Sequence, residues 1–392
     1  MKILFISNSK SLSAGDSVAL LHILETFKNF NVDILVTVPS EGSFLSKLDE
    51  LGLVHKIINM PMSIYPPLKS FVDYVKLPYR ILKYIIKENI AKRKLGDCIK
   101  EFRPDVIHTN IGPIRIGYSL AKKHGIPHVW HIREYQKEDF GMRPFPSINA
   151  MKNRYHDDIN HCIAITKDIF DYFQLNNNKD YVIYDGVIDK RQVKPINQHK
   201  QNYILFAGRL EDAKGIKVLL RAYDQYVING GTLNLLVAGR GNEAYIKSCK
   251  ELVSSTTLSK VHFLGQRSDV FDLMYDARIF IVPSKREGFG FITVEAMFNG
   301  VLVIGHNTGG TKEQFDNGLK EANSEIAYRY NKSSELVDLL KKLEIMPTDA
   351  YNRIAVQAQS VVCKLYDITT QAEKVYQIDQ TIIKKHEGGI KC

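Results

Sequence analysis

Apolar positions along this chain fall into short continuous runs separated by longer segments with helical spacing. In the first half, Lys2–Ser7, Asn31–Val38, Val54–Ile58, Asp105–Thr109, Ile126–His131 and Cys162–Thr166 read as strands. Between them, helical spacing runs from about Ser17 to Phe30 and from Gly42 to Leu51, and Ser7–Asp16 is a polar loop. A basic helical stretch covers roughly 69–102, with a break expected at Pro78. Strands alternating with helices imply a parallel, doubly wound sheet.

Near residue 190 the periodicity lapses. DKRQVKPINQHKQN has no apolar pattern and carries Pro195, so it reads as an interdomain linker. A second alternation starts at Tyr203–Ala207 and continues through Leu233–Ala238, Val261–Leu264, Arg278–Val282, Val301–Gly305 and Glu325–Tyr328. A long proline-free helical tail follows from about Ser360 to Lys385. The expected fold class is α/β with two Rossmann-like doubly wound domains, 1–190 and 196–364, facing across a cleft.

Candidate chemistry gathers where strands end. The run Arg278–Val282 closes at Pro283, and Gly288 and Gly290 flank Phe289 before a helical pattern from Phe291 to Phe298. A strand, a glycine-bearing turn and a helix opening can receive a phosphate on backbone amides and the positive helix end. Glu287 and Glu295 bracket that opening. On one helix they would stand ~12 Å apart along the axis, so a Glu287 in the loop lets the two acids flank a phosphate site. Ionised carboxylates only accept hydrogen bonds, which suits the paired hydroxyls of a sugar or ribose. Read singly, Glu295 is equally a capping acid in the first turns of a surface helix.

GRLEDAKG follows the strand Tyr203–Ala207 with Gly208, Arg209, Lys214 and Gly215. Arginine offers a planar fork to phosphate oxygens and lysine a point charge, so the two could neutralise a leaving diphosphate. In the first half, Ala14-Gly15 precedes a helix, and Gly15 allows close backbone approach. His131 closes IPHVWH at a strand end and is followed by Arg133; His128 falls on the opposite face and His108 ends the preceding strand. Gly239-Arg240-Gly241 lacks the third glycine of a dinucleotide fingerprint.

Charge and cysteine usage narrow the picture. The net charge of +10 is uneven: residues 51–100 carry ten basic and three acidic residues. There Tyr74, Leu77, Tyr79, Ile81, Ile85 and Ile86 interleave with lysines, a basic amphipathic segment suited to an anionic membrane surface or to an ordinary solvated face. No nucleic-acid-binding module appears, and no apolar run approaches the ~18 residues that span a bilayer. ILFIS lacks the features of a signal peptide, so a cytoplasmic protein is expected, associated through residues 69–94 with the inner face of the membrane. Five dispersed cysteines, Cys98, Cys162, Cys249, Cys363 and Cys392, argue against a disulfide framework and a zinc site. There is no Asp-x-Asp pair for a metal diphosphate.

The Glu287-x7-Glu295 spacing, followed by Gly309-Gly310-x-x-Glu313, resembles the retaining glycosyltransferases of family 4, which have the two-domain GT-B fold. GRLEDAKG resembles that family's diphosphate clamp, and Thr166 and Asp185-Gly186-Val187 resemble its Ser and Asn-Gly-Val positions, with Asp in place of Asn. The resemblance implies a last helix, about 365–392, that crosses back onto the first domain. It implies that Glu287 holds the transferred sugar and Glu295 the ribose. Arg209 and Lys214, with Gly208 and the Gly288–Gly290 amides, take the diphosphate; Gly239 lies near the nucleotide; Gly15 and His131 reach the donor sugar. The activity implied is metal-independent, cofactor-free transfer of a hexose from a UDP- or GDP-sugar to a saccharide or lipid-linked saccharide in cell-surface polysaccharide synthesis. A nucleotide-sugar epimerase of the same fold and a non-catalytic accessory subunit are the alternatives.

Overall fold

The computed structural model describes residues 1–12, 15–137 and 141–389; Ala14 of the first loop and Cys392 lie outside them. The chain divides into two compact units, Met1–Gly186 with Ile368–Cys392, and Val187–Asp367. Each is a parallel sheet with helices on both faces, the Rossmann-like α/β architecture.

In the first unit, strands β1 (Lys2–Ile6), β2 (Asp33–Val38), β3 (Val54–Ile57), β5 (Val106–Thr109), β6 (His128–Ile132), β8 (Asn160–Ala164) and β9 (Tyr181–Val182) lie in the order β3-β2-β1-β5-β6-β8-β9. The short strands β4 (Ile64–Tyr65) and β7 (Arg143–Pro144) form a separate antiparallel pair. Every residue of β5 and β6 is buried, the polar His108, Thr109, His128 and His131 included. Ile3, Phe5, Val36, Val129 and Ile163 face one core with Leu20, Leu24 and Phe27 of the helix Gly15–Phe27. Ala372, Val375 and Ile382 of the final helix, Ile368–Gly389, complete that core. Leu4, Ile6 and Ile107 face the other core, with Leu95, Ile99 and Leu120.

The second unit orders its strands β12-β11-β10-β13-β14-β15: β10 (Gln201–Ala207), β11 (Asn234–Ala238), β12 (Val261–Gly265), β13 (Ala277–Val282), β14 (Leu302–His306) and β15 (Tyr328–Tyr330). The chain runs outward from β10 one way and from β13 the other. The crevice between those two neighbours is therefore the switch point where such sheets bind ligands.

Four expectations need correction. Pro78 does not break the basic helix, which runs unbroken from Phe71 to Phe102 behind a Ser70–Asp73 capping box; the ring removes one backbone bond, and the rest of the helix holds through it. The stretch expected as a linker packs on the second unit: Ile196 is buried in its core, and Asn197 Nδ2 donates to Asp276 Oδ1 at 2.9 Å. The helical tail is two helices, Thr348–Leu365 and Ile368–Gly389, interrupted at Tyr366-Asp367. The last strand of the second sheet is Tyr328–Tyr330, later than the expected Glu325–Tyr328.

Candidate active site

Residues singled out in the second half converge on one edge of the second sheet. Gly208 and Arg209 follow β10, Gly239 follows β11, and Pro283–Gly290 follow β13, all at C-terminal strand ends. Two glycines make this convergence possible. A Cβ on Gly215, at φ +71°, would stand 1.8 Å from the Pro283 carbonyl oxygen. One on Gly239 would stand 1.8 Å from the Gly208 oxygen. Only glycine lets the β10 loop close on its two neighbours.

At the centre, Lys214 Nζ donates to Glu287 Oε1 at 2.6 Å. Both groups are mostly withdrawn from water, with side chains 26% and 14% exposed, so the pair is stronger than a surface ion pair. The two residues expected to act on phosphate and on sugar thus hold each other. Beside them Phe289 is buried, and Gly290 (φ +90°) opens the helix Phe291–Phe298. Among the described residues, the amides of Gly288 and Gly290 donate no hydrogen bond, which leaves them available to an anion at the helix opening. The loop is pinned from behind: Gly310 N donates to Glu287 O at 2.8 Å, and buried Gln314 donates through Nε2 to Phe289 O at 2.8 Å.

Glu295 lies in the second turn of that helix, partly buried. Among the described residues its carboxylate has no hydrogen-bond or ion-pair partner, and burial pushes its pKa up to about 7. Arg209 has a different partner: its side chain is 62% exposed and pairs with Glu211 at 3.1 Å. It lines an open cavity of about 520 Å³ with Asp212, Arg240, Asn242 and Tyr245. The amides of Gly208 and Gly239 are taken by Ala238 O and Gly265 O at 3.0 and 2.7 Å. Their place here is close backbone packing.

The first unit has its own cluster at strand ends. Gly15 begins the helix after β1 and is exposed. Asn110, after β5, donates through Nδ2 to Asp16 O at 2.9 Å. Arg133 donates to Asn110 O and Oδ1 at 3.2 and 3.1 Å and forms a buried ion pair with Asp185, which also accepts from Gln371 Nε2 at 2.9 Å. Asp185 in the Asn-like position therefore has a matched cation. Thr166 caps the helix Lys167–Tyr172, accepting from Ile169 N at 3.2 Å.

His128 is a core residue between Asn160 and Thr109, its pKa lowered to about 3 by burial. His131 is 1% exposed near the end of β6, and burial first, then Arg133, holds its pKa well below the usual histidine value. Its Nε2 lies 3.2 Å from His108 Nδ1, while His108 Nε2 lies 2.8 Å from Asp379 Oδ1 on the final helix. Nothing in the sequence joins Asp379 to this group, since it is 271 residues from His108.

Residues 187–361 match the family model for glycosyl transferases group 1. An uncharacterised glycosyltransferase of Methanocaldococcus jannaschii is 26% identical over 295 residues, covering 72% of this chain and 76% of that one. The capsular polysaccharide biosynthesis glycosyltransferase CapM of Staphylococcus aureus is 25% identical over 313 residues, covering 75% of this chain and 77% of its own length. In structure, Anabaena HepE, solved in complex with UDP and glucose, superposes with a TM-score of 0.74 at 20% identity, over 97% of this chain and 100% of that one. Solved structures of this kind share the GT-B fold.

Proposed function

We propose that the chain is a glycosyltransferase, its residues 187–361 matching the group 1 family model, and that it moves a hexose from a UDP- or GDP-sugar to a saccharide or lipid-linked saccharide, with retention at the anomeric carbon. The observation that carries this reading is the half-buried Lys214–Glu287 pair at the β10/β13 switch point, beside amides that, among the described residues, hold no acceptor. A diphosphate seated there meets the Lys214 ammonium and the Gly288 and Gly290 amides. Fixed positive charge at the departing phosphate is the main stabilising term. Glu287, already oriented by Lys214, accepts from sugar hydroxyls, and Glu295 accepts from the ribose. Arg209, on its exposed stem, swings to the diphosphate only when ligand is present. UDP and glucose in HepE and capsule synthesis by CapM agree with this substrate class.

The acceptor reading rests on the helix Phe71–Phe102. Phe71, Val75, Tyr79, Leu82, Ile86 and Ile90 are between 51% and 81% exposed. At ~100° per residue they share one stripe about 100° wide, and Lys76, Lys83 and Lys87 border it along one side. An apolar stripe edged on one side by lysines matches an anionic bilayer, where a lipid-linked acceptor would lie. Among the described residues no helix is long and apolar enough to cross a membrane.

The test is incubation with single UDP- and GDP-sugars, with and without lipid-linked saccharide, followed by chromatography and anomeric analysis. Transfer with retained configuration supports the reading. Isomerised donor formed without acceptor would replace it with an epimerase.

A further inference from the structure

The start of the helix Gly309–Ala322 lies behind the Glu287–Gly290 loop, and its hydrogen bonds fall on carbonyls of that loop. Gly310 N donates to Glu287 O at 2.8 Å. Gln314 Nε2 donates to Phe289 O at 2.8 Å and to Gly290 O at 3.2 Å. The close approach needs the two glycines that open the helix. A Cβ on Gly309 would stand 2.5 Å from Glu287 O, and one on Gly310 would stand 2.0 Å from Phe289 O. Gln314 is itself only 2% exposed. Both oxygens it meets can only accept, so its side-chain amide presents the NH2 group to them. The other end, Oε1, is a buried acceptor with no partner among the described residues. An unbranched apolar side chain would fill the same space without stranding an acceptor, so stability alone does not account for a glutamine here.

A peptide group is planar, and in the trans form its C=O and N–H point in opposite directions. The Glu287–Gly288 and Phe289–Gly290 peptides are both trans. Holding the Phe289 carbonyl toward Gln314 therefore turns the Gly290 N–H the opposite way, off the packed side of the loop. The bond from Gly310 N to Glu287 O does the same for the Gly288 N–H. These two amides are the ones that donate to nothing among the described residues. A glycine-bearing loop has wide backbone freedom, and a hydrogen bond weakens steeply as its angle departs from linear. An anion site made of such amides gains strength from whatever fixes their direction.

We infer that Gln314 is a positioning residue that aims the Gly290 amide at the donor diphosphate, by holding the carbonyl on the far side of the same peptide plane. This role rests on the loop's being the diphosphate site proposed above. It adds to that site a side chain that touches no substrate, and it divides the work: Lys214 supplies charge and Gln314 supplies direction. All of these residues belong to the second unit.

The sequence Phe-Gly occurs twice in the chain, at 140–141 and 289–290. Full-length protein carrying 13C-carbonyl phenylalanine and 15N-glycine therefore gives two signals in a carbonyl-to-amide correlation spectrum, and Phe140→Tyr removes the other one. The remaining signal reports both ends of the Phe289–Gly290 peptide. Saturation with UDP or GDP should move the wild-type Gly290 amide proton downfield. In Gln314→Met, which keeps the length and loses the donor, that response should shrink. Calorimetry should then show the nucleoside diphosphate bound about 10-fold more weakly, the worth of one amide bond to a charged oxygen. Uridine or guanosine, which carries no phosphate, should bind as in the wild type. Turnover in sugar transfer should fall by at least the same factor, because charge on the diphosphate grows in the transition state. Wild-type diphosphate affinity in Gln314→Met overturns the inference. Nucleoside binding weakened as much as diphosphate binding overturns it as well, by marking a residue that only holds the fold. If Gln314→Met does not fold, the wild type decides: a Gly290 amide unmoved by bound UDP or GDP removes the role. Failure of the diphosphate site itself shows separately, as a wild type that binds neither UDP nor GDP.

Discussion

Glu295 offers a sharp quantitative test, because burial alone raises its pKa from 4.5 to about 7 and no cation offsets it. A ribose diol donates two hydrogen bonds to an ionised carboxylate and fewer to a protonated one, so donor should bind the ionised form preferentially. With a pKa of about 7, only about one-tenth of Glu295 is ionised at pH 6, and about nine-tenths at pH 8. The donor dissociation constant should therefore be about tenfold weaker at pH 6 than at pH 8, with binding at pH 6 releasing close to one proton. The sign for the free protein is opposite. A raised carboxyl pKa gives a stabilising contribution that is complete below about pH 4.5 and is lost as pH rises through about 7. Isothermal titration calorimetry with an intact nucleotide sugar, in two buffers of different ionisation enthalpy, measures both affinity and protons released. The intact sugar is required because a terminal phosphate titrates near pH 6 itself. Glu295→Gln should bind more weakly at pH 8 and lose the pH dependence. Affinity that is flat with pH in the wild type, or a pH dependence surviving in Glu295→Gln, refutes the ribose assignment.

Lys214→Ala should reduce turnover by about 100-fold or more, since it removes the half-buried cation and leaves Glu287 unpaired; initial rates at saturating donor measure it. Arg209→Ala tests the swing of an exposed side chain onto the diphosphate, with a loss of similar size expected. Gly215→Ala forces a methyl to within 1.8 Å of the Pro283 carbonyl, and a cost of about 2–4 kcal/mol should appear as a lower calorimetric melting temperature. Full-length protein should float with anionic liposomes at low salt, and replacing Lys76, Lys83 and Lys87 by Glu should weaken association roughly 100-fold or more. Flotation equal for the two proteins would end the membrane reading.

Local pattern was enough for much of this molecule. Continuous apolar runs become central parallel strands because both faces of such a sheet are covered, and each βα turn places the residue after a strand on one edge. That is why Gly208, Gly239, Glu287 and Gly290 could be assigned to a common edge from spacing alone. Helix continuity through Pro78 was beyond local rules, because a 32-residue helix with a capping box and a packed second half tolerates one missing bond. The core position of Ile196 depended on packing against Gly300 more than a hundred residues on, which no window of sequence shows.

By itself the amino-acid order determined two nucleotide-type folds and the kinds of group at their strand ends. Tertiary structure decided the partnerships: Lys214 with Glu287, Arg133 with Asp185, and His108 between His131 and Asp379. The division has one physical cause. Hydrogen bonding and side-chain alternation within an element act between near neighbours, whereas an ion pair or a buried side-chain hydrogen bond is set by whichever helix the core brings across from a distant part of the chain.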